Sequence, residues 1–225
     1  MLARGIIENV DNFDRAQTLT TTPGYNGWTV ADTSAAGTPT YTTVTENGGA
    51  MKLTLEATSE AQNVCMYQND VLMLDLANLQ LVEFIAKVSG IDSVTTLVFG
   101  VGTARNDTVA SVTNCAWFKI LGSGSTSNVL IDTRDGTTSN TGVATGTTLS
   151  STYKKFTIDF QNGLADVRFF IDGDRVAGST TFSMAAITAD QNVQPIVQIQ
   201  KASGTGVASV SIARIRTVQK FNYGA

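Results

Sequence analysis

The stretch VRFFIDGDRVAG, Val167 to Gly178, decides how the fold is read. Val167, Phe169 and Ile171 fall on one side of an extended chain and Arg168, Phe170 and Asp172 on the other, the period of two that marks a strand. Asp172-Gly173 interrupts the alternation. That dipeptide tolerates the positive backbone angles of a two-residue hairpin, because Gly has no side chain to clash and Asp can bond its own backbone. Val176 then resumes the pattern, so the stretch is predicted to be a β-hairpin whose Asp-Gly step serves chain reversal.

The same pattern recurs outward from it. AMKLTLEA sets Met51, Leu53 and Leu55 inward and Lys52, Thr54 and Glu56 outward, a strand with one wet face. Further strands are predicted at NVCMYQ, LVEFIAKVS, TTLVFGVGTA, CAWFKIL, NVLIDTR, YKKFTIDF, PIVQIQK and VASVSIARIRTV. No helical period separates them, and parallel strands need long crossover segments, so the pairing is antiparallel. Their apolar faces are expected to oppose one another about 10 Å apart in two stacked sheets. Phe84, Phe99, Phe118, Phe156, Phe160 and Phe169 all sit at inward parity. The segments LGSGSTSN, RDGTTSNTGVATGTTLSST and KASGTGVAS are dense in Gly, Ser and Thr and read as loops.

Composition agrees with an all-β chain. Of 225 residues 42% are hydrophobic and only 15% charged, below the roughly 25% charge of an average soluble chain. Thr packs well on a pleated surface while Gly and Asn supply turns. The expected organisation is an irregular N-terminal segment over residues 1–47 and one sandwich domain over 48–225. The segment either packs on the sandwich or extends from it as an arm, and Phe13, Tyr25 and Trp28 give it something to bury.

Several function classes are disfavoured at this level. The net charge is −4 and no cluster of Lys and Arg approaches a basic run of about five to eight residues, so nucleic-acid binding is not expected. The most apolar segment, VLMLDLANLQLVEFIAKV, is broken by Asp75, Asn78, Glu83 and Lys87 and does not suit a membrane-crossing helix. The apolar patch near Met1 is too short for the core of an export signal. Cys65 and Cys115 lie in strand-like runs and read as buried thiols, and without His there is no ligand set for structural zinc.

Three pieces in order resemble one family. DNFDR at Asp11 to Arg15 followed by GWTV at Gly27 to Val30, the hairpin VRFFIDGDRVA, and the ending NVQPIVQIQKASGTGVASVSIARIRTVQ look like parts of concanavalin A-like, laminin-G-type jelly-roll domains of tailed-phage virion proteins. The resemblance implies a two-sheet antiparallel jelly-roll sandwich, a fold shared by lectins, glycanases and virion proteins, so function must be argued from a site.

Glycoside hydrolysis needs two carboxyl groups, about 5–5.5 Å apart for retention or about 6.5–9.5 Å for inversion. Glycanases of this fold carry an E-x-D-x-x-E strand, which is not found here. Asp159 in FTIDF and Asp132 in VLIDT stand singly on their strands and are expected to face solvent. Without His, a Ser-His-Asp arrangement is unavailable. The expectation is therefore that the chain is not an enzyme. No cofactor is expected. Calcium is the one ion for which Asp172, Asp174 and Asp135 offer suitable oxygens, though not in the pattern of a calcium loop.

Trp28, Tyr25 and Tyr41 are candidates for an aromatic platform toward glycan. Trp117 faces either the far side of its sheet or a partner, and Phe170, at outward parity, hints at a covered outer face. Phe13, Tyr25, Trp28 and Phe170 are the candidate partner contacts. The function expected from the resemblance is a capsid decoration (cement) protein on the outer surface of a tailed-phage head. It would be made in the host cytoplasm, bound to the major capsid protein and assembled as a homotrimer. The alternative is a receptor- or carbohydrate-binding module of a tail fibre or spike.

Overall fold

The computed structural model describes residues 4–122, 128–149, 151–187 and 191–222. Among the described residues sixteen strands build two antiparallel sheets. Sheet A holds β1 (Arg4–Asp11), β3 (Thr40–Val44), β4 (Ala50–Thr54), β7 (Leu79–Ser89), β12 (Lys154–Asp159), β13 (Arg168–Ile171), β14 (Asp174–Val176) and β16 (Ser209–Asn222). Its order is β14-β13-β12-β7-β16-β4-β3, with β1 paired to the far half of β16. Sheet B holds β2 (Thr29–Asp32), β5 (Gln62–Tyr67), β6 (Leu74–Asp75), β8 (Thr95–Gly102), β9 (Asn114–Leu121), β10 (Asn128–Asp135), β11 (Ser139–Thr148) and β15 (Asn192–Lys201). There the order is β11-β10-β9-β8-β15-β5-β2, with β6 beside β15. The arrangement is the two-sheet antiparallel sandwich predicted from the alternation, and the jelly roll that the resemblance implies.

The Asp-Gly hairpin forms as the sequence dictates. Asp172 and Gly173 have φ of 54° and 96°, and Ile171 pairs with Asp174 across the turn. The Asp172 carboxylate accepts the Lys155 amide at 2.9 Å and meets the Lys154 ammonium at 2.7 Å. Its oxygens hold the turn to the neighbouring strand.

Between the sheets the inward phenylalanines form a continuous cluster. Phe99 of sheet B contacts Phe84 and Phe156 of sheet A with centroids 5.6 and 4.8 Å apart, and Phe118 meets Phe169 edge-on at 5.3 Å. Each ring contributes roughly 1.5–3 kcal/mol on burial. A charge lies buried at one margin of this core. The Lys201 ammonium, on a residue only 2% exposed, donates to the main-chain carbonyls of Glu56, Thr58 and Gly204. Carbonyl dipoles replace its lost hydration.

The N-terminal segment is ordered against the sandwich. It supplies β1 and β3 to sheet A and β2 to sheet B, joined by irregular chain. RDGTTSNTGVATGTTLSST, expected to be a loop, contains β11. Gly142 and Gly146, with φ of 67° and 76°, sit on this edge strand, and two register shifts interrupt its pairing with β10. An edge strand without an apolar face leaves no alternation for the sequence to show. Of the loop LGSGSTSN, residues 123–127 lie outside the described residues.

Candidate functional site

The outer face of sheet B collects more chemistry than its sequence suggests. Strand pairing sets Tyr67, Ile196, Gly100, Trp117 and Asp132 in one row across five strands, with Cys65, Gln198, Val98 and Lys119 in the next. Gly100 is required here. A side chain on it would come within 2.5 Å of Trp117 Cα and 2.3 Å of the Ala116 oxygen. The absent side chain lets the backbone of Trp117 come this close.

A strap, residues 103–113 between β8 and β9, crosses this face. Its Val109 and Val112 form a second apolar cluster with Val98, Cys115 and Trp117, separate from the main core. Trp117 faces the far side of its own sheet and is 1% exposed. Burial pushes the Cys115 thiol up to about 12, and the nearby Arg134 charge offsets only part of that. Cys65 is displaced upward for the same reason. Both thiols are free and buried.

Polar side chains of the sheet pin the strap down. Gln198 Nε2 donates to the Asn106 carbonyl at 3.2 Å and to Asn63 Oδ1 at 2.9 Å. Gln194 Nε2 donates to Asp70 Oδ1 at 2.6 Å and to the Thr103 carbonyl at 3.3 Å. Asp107 Oδ1 takes Thr33 Oγ1, Asn63 Nδ2 and Arg105 Nη1 at 3.0, 3.2 and 2.8 Å. The Arg105 guanidinium lies 5.9 Å from the Tyr67 ring centre.

Asp132 corrects the expectation of a solvent-facing acid, since its residue is 0% exposed. Its Oδ2 binds Lys119 Nζ at 3.1 Å and Arg134 Nη2 at 3.3 Å, and its Oδ1 accepts the Gly142 amide at 2.6 Å. Arg134 continues to the Val109 carbonyl at 3.1 Å and stacks 5.7 Å from Trp117. A buried carboxylate survives because two cations and an amide compensate its desolvation. Asp159, the other acid singled out, is half-buried and accepts the Gln161 amide at 2.8 Å.

Beside the strap lies a depression of about 240 Å³ lined by Thr33, Asn63, Thr96, Asp107 and Gln200, with Lys201 beneath. It presents amide, hydroxyl and carboxylate groups together. Gln198 Nε2 reaches Gln200 Oε1 at 3.5 Å at its floor.

The predicted contact residues do not converge there. Phe13 and Trp28 are each 2% exposed and pack on one another with centroids 5.9 Å apart. Trp28 Nε1 donates to Asp11 Oδ2 at 2.7 Å. This corrects the expectation that either ring is offered to a partner, because the first strands fold back and close the open side of the sandwich. Tyr25 opens a short 3-10 turn, and its side chain lies outside the described residues. Tyr41 packs partly buried against the core. Phe170 is half-buried on sheet A, across from Arg175 and Thr157.

Of the three aspartates considered for calcium, Asp172 and Asp135 are engaged in turns and Asp174 is an exposed residue of β14. Asp135 Oδ1 accepts the Thr137 and Thr138 amides and its Oδ2 the Ala186 amide at 3.1 Å. Burial raises the Asp135 pKa, but those amides more than offset it, and the carboxyl ends below its ordinary range. Among the described residues no three acid or thiol side chains gather as a metal site.

The covered outer face had a sequence signal that alternation alone did not use. TTLVFGVG is apolar on both parities, the mark of a strand buried on both faces.

No protein-family model and no curated protein matches the sequence. Solved structures match in fold. A Bacillus licheniformis β-glucanase superposes with a TM-score of 0.60 at 15% identity, covering 93% of this chain and 97% of that one. SCLam, a non-specific endo-β-1,3(4)-glucanase of family GH16, gives 0.62 at 10% identity over 96% and 91%. The Emp47p carbohydrate recognition domain gives 0.56 at 11% identity over 92% and 93%.

These neighbours overturn the expectation that enzyme activity is excluded. The same sandwich, over more than nine-tenths of this chain, serves glucanases. The exclusion rested on one missing arrangement of acids, and a missing motif does not remove catalysis from a fold that supports it. The fold resemblance stands as stated from the sequence, while its narrower attribution to virion proteins finds no counterpart among these neighbours. What the comparisons establish is a concanavalin A-like jelly roll whose neighbours include glycoside hydrolases and carbohydrate-binding domains.

Proposed function

We propose that this chain binds carbohydrate on the outer face of sheet B, at the depression beside the strap. The observation that carries the reading is the convergence of Asn63, Thr96, Asp107 and Gln200 on one hollow of about 240 Å³. Amide, hydroxyl and carboxylate groups held by strands match the hydrogen-bonding pattern of a sugar ring. The carbohydrate recognition domain and glucanases among the fold neighbours support it.

The strap gives the ligand a size. It occupies the Tyr67–Trp117 row along which a long chain would run, so the site takes a chain end or a short oligosaccharide. Titration calorimetry with β-1,3(4)-glucan oligosaccharides of increasing length tests this, alongside a broad glycan array. Affinity should stop rising beyond about two sugar units, since the hollow is smaller than the roughly 300–1,000 Å³ of extended ligand sites. Gln200→Ala should abolish the signal. A flat array would remove the proposal.

A second reading, decoration of a tailed-phage head through the major capsid protein, is supported by the sequence resemblance and by Phe170. That ring is half-buried on an outer sheet face, where a larger surface would cover it. Gel densitometry of purified particles should then find many copies of the chain, and a handful would favour a tail location instead.

A further inference from the structure

We infer that the edge of β1 is a two-fold interface between copies of this chain. Among the described residues six large apolar side chains are exposed: Ile6, Val10, Val71, Met73, Phe221 and Val207. Ile6, Val10 and Phe221 belong to one end of sheet A, and Val71 and Met73 to the loop between β5 and β6 of sheet B. Ile6 and Val10 share a face of β1, and Phe221 stands on β16 across from Gly5. Val10 and Met73 line the same hollow of about 210 Å³, together with Asp11, Trp28, Pro195 and Ile215. The 71–78 segment is tied to this end, since Asn78 accepts the Lys220 amide at 2.8 Å. Scattered apolar residues need no explanation, but a cluster beside a strand edge does.

The backbone supplies the second half of the argument. Among the described residues β1 pairs with β16 alone, over eight residues, so its other edge presents free amides and carbonyls. Such an edge is a template for another strand. Ile6 is 73% exposed, and the strand has neither a proline nor a bulge to blunt it.

A second copy fits this edge better than an unrelated strand. A two-fold axis at Glu8 sets Ile6 of each protomer opposite Val10 of the other and continues sheet A across the pair. The two Glu8 carboxylates then face one another, each already held by its own Arg216, whose Nε lies 2.5 Å from Glu8 Oε1. Lys220, across from Ile6, adds a cation on either side. The charges alternate, and every apolar residue on that face of the strand meets another. A shift by one residue pair would put Ile6 against Glu8. Closed two-fold pairing is also the commonest homo-oligomer symmetry. Since a stable interface buries roughly 800 Å² per partner, the 71–73 loop must join the strand in contact.

Sedimentation velocity across a concentration series tests the inference. The intact chain should sediment as a dimer at high concentration, and Val10→Lys should raise the dissociation constant by roughly tenfold or more with an unchanged melting curve. Ile6→Cys combined with Val10→Cys should give a covalent dimer on mild oxidation, with Cys65 and Cys115 silent because they are buried. A monomer at every concentration overturns the inference. So does a trimer, or a dimer that Val10→Lys leaves intact.

Discussion

Asp132 and Asp159 hold the same place in two strands of similar sequence, VLIDT and FTIDF, each at outward parity after an inward isoleucine. One is fully buried and the other half-exposed. The difference is not local. Sheet A meets solvent on its outer face, where ion pairs such as Glu46 with Lys87 and Lys52, or Asp166 with Arg168, run across the surface. Sheet B carries the strap on its outer face, and the side chains beneath, Trp117, Gln198 and Asp132, have lost their water. A strand's alternation tells which residues leave the core; it does not tell whether they reach solvent. That depends on what another part of the chain lays over them.

The sharpest way to break this contrast is Asp132→Ala. Removing the carboxylate leaves the partly exposed Lys119 and Arg134 and the Gly142 amide without their partner, a loss that should lie between about 1 kcal/mol for an exposed pair and roughly 3–5 kcal/mol for a fully buried one. Urea denaturation should show an unchanged slope and a midpoint lowered by that free energy divided by the slope. A loss below about 1 kcal/mol, the value for exposed ion pairs, would mean that the strap does not seal the face.

Gln198→Ala asks the same of the strap itself. The amide is 2% exposed and ties the strap to Asn63. Leaving the Asn106 carbonyl without its partner should cost roughly 1–3 kcal/mol. Hydrogen exchange should localise the loosening to residues 103–113. Exchange that rises equally in β12 and β13 would show that strap and sandwich open together.

Much of the fold was legible because it rests on alternation. β4, β12 and β13 bury the parity their sequences mark, and all six phenylalanines assigned inward lie in the core. β11 was not legible, because an edge strand of Thr, Ser and Gly has no buried face to write into the sequence. The polar site was hidden for a different reason. Asp132, Lys119 and Arg134 come from two strands, and Gln198, Asn63 and Asp107 from three separated segments, so only pairing register brings them together. Phe13 and Trp28 read both as something for the N-terminal segment to bury and as candidate partner contacts, because irregular chain carries no alternation to choose between the two. Phe13 takes a φ of 48°, which an alternation rule does not anticipate, while the Asp11 carboxylate accepts its amide at 2.9 Å.

The smallest expected effect belongs to the open face of sheet A. Asp166 accepts Arg168 Nε at 3.0 Å and lies 3.7 Å from Arg175, at the margin of β13 and β14. Partial burial pushes its carboxyl up, but Arg168, Asn162 and the Arg175 charge more than offset that, and the pKa falls below the ordinary Asp value. A folded pKa below the unfolded one means that the ionised carboxylate stabilises the fold at pH above the unfolded value, near 3.9. That contribution is lost as pH drops through the folded value. Asp166→Asn should therefore cost less than about 1 kcal/mol at neutral pH. Its melting curve should converge with that of the parent chain in acid, and 1 M salt should shrink the difference, because charges on an open face are screened. Asp132→Ala, in contrast, should keep most of its cost in high salt, where the strap holds ions and water away.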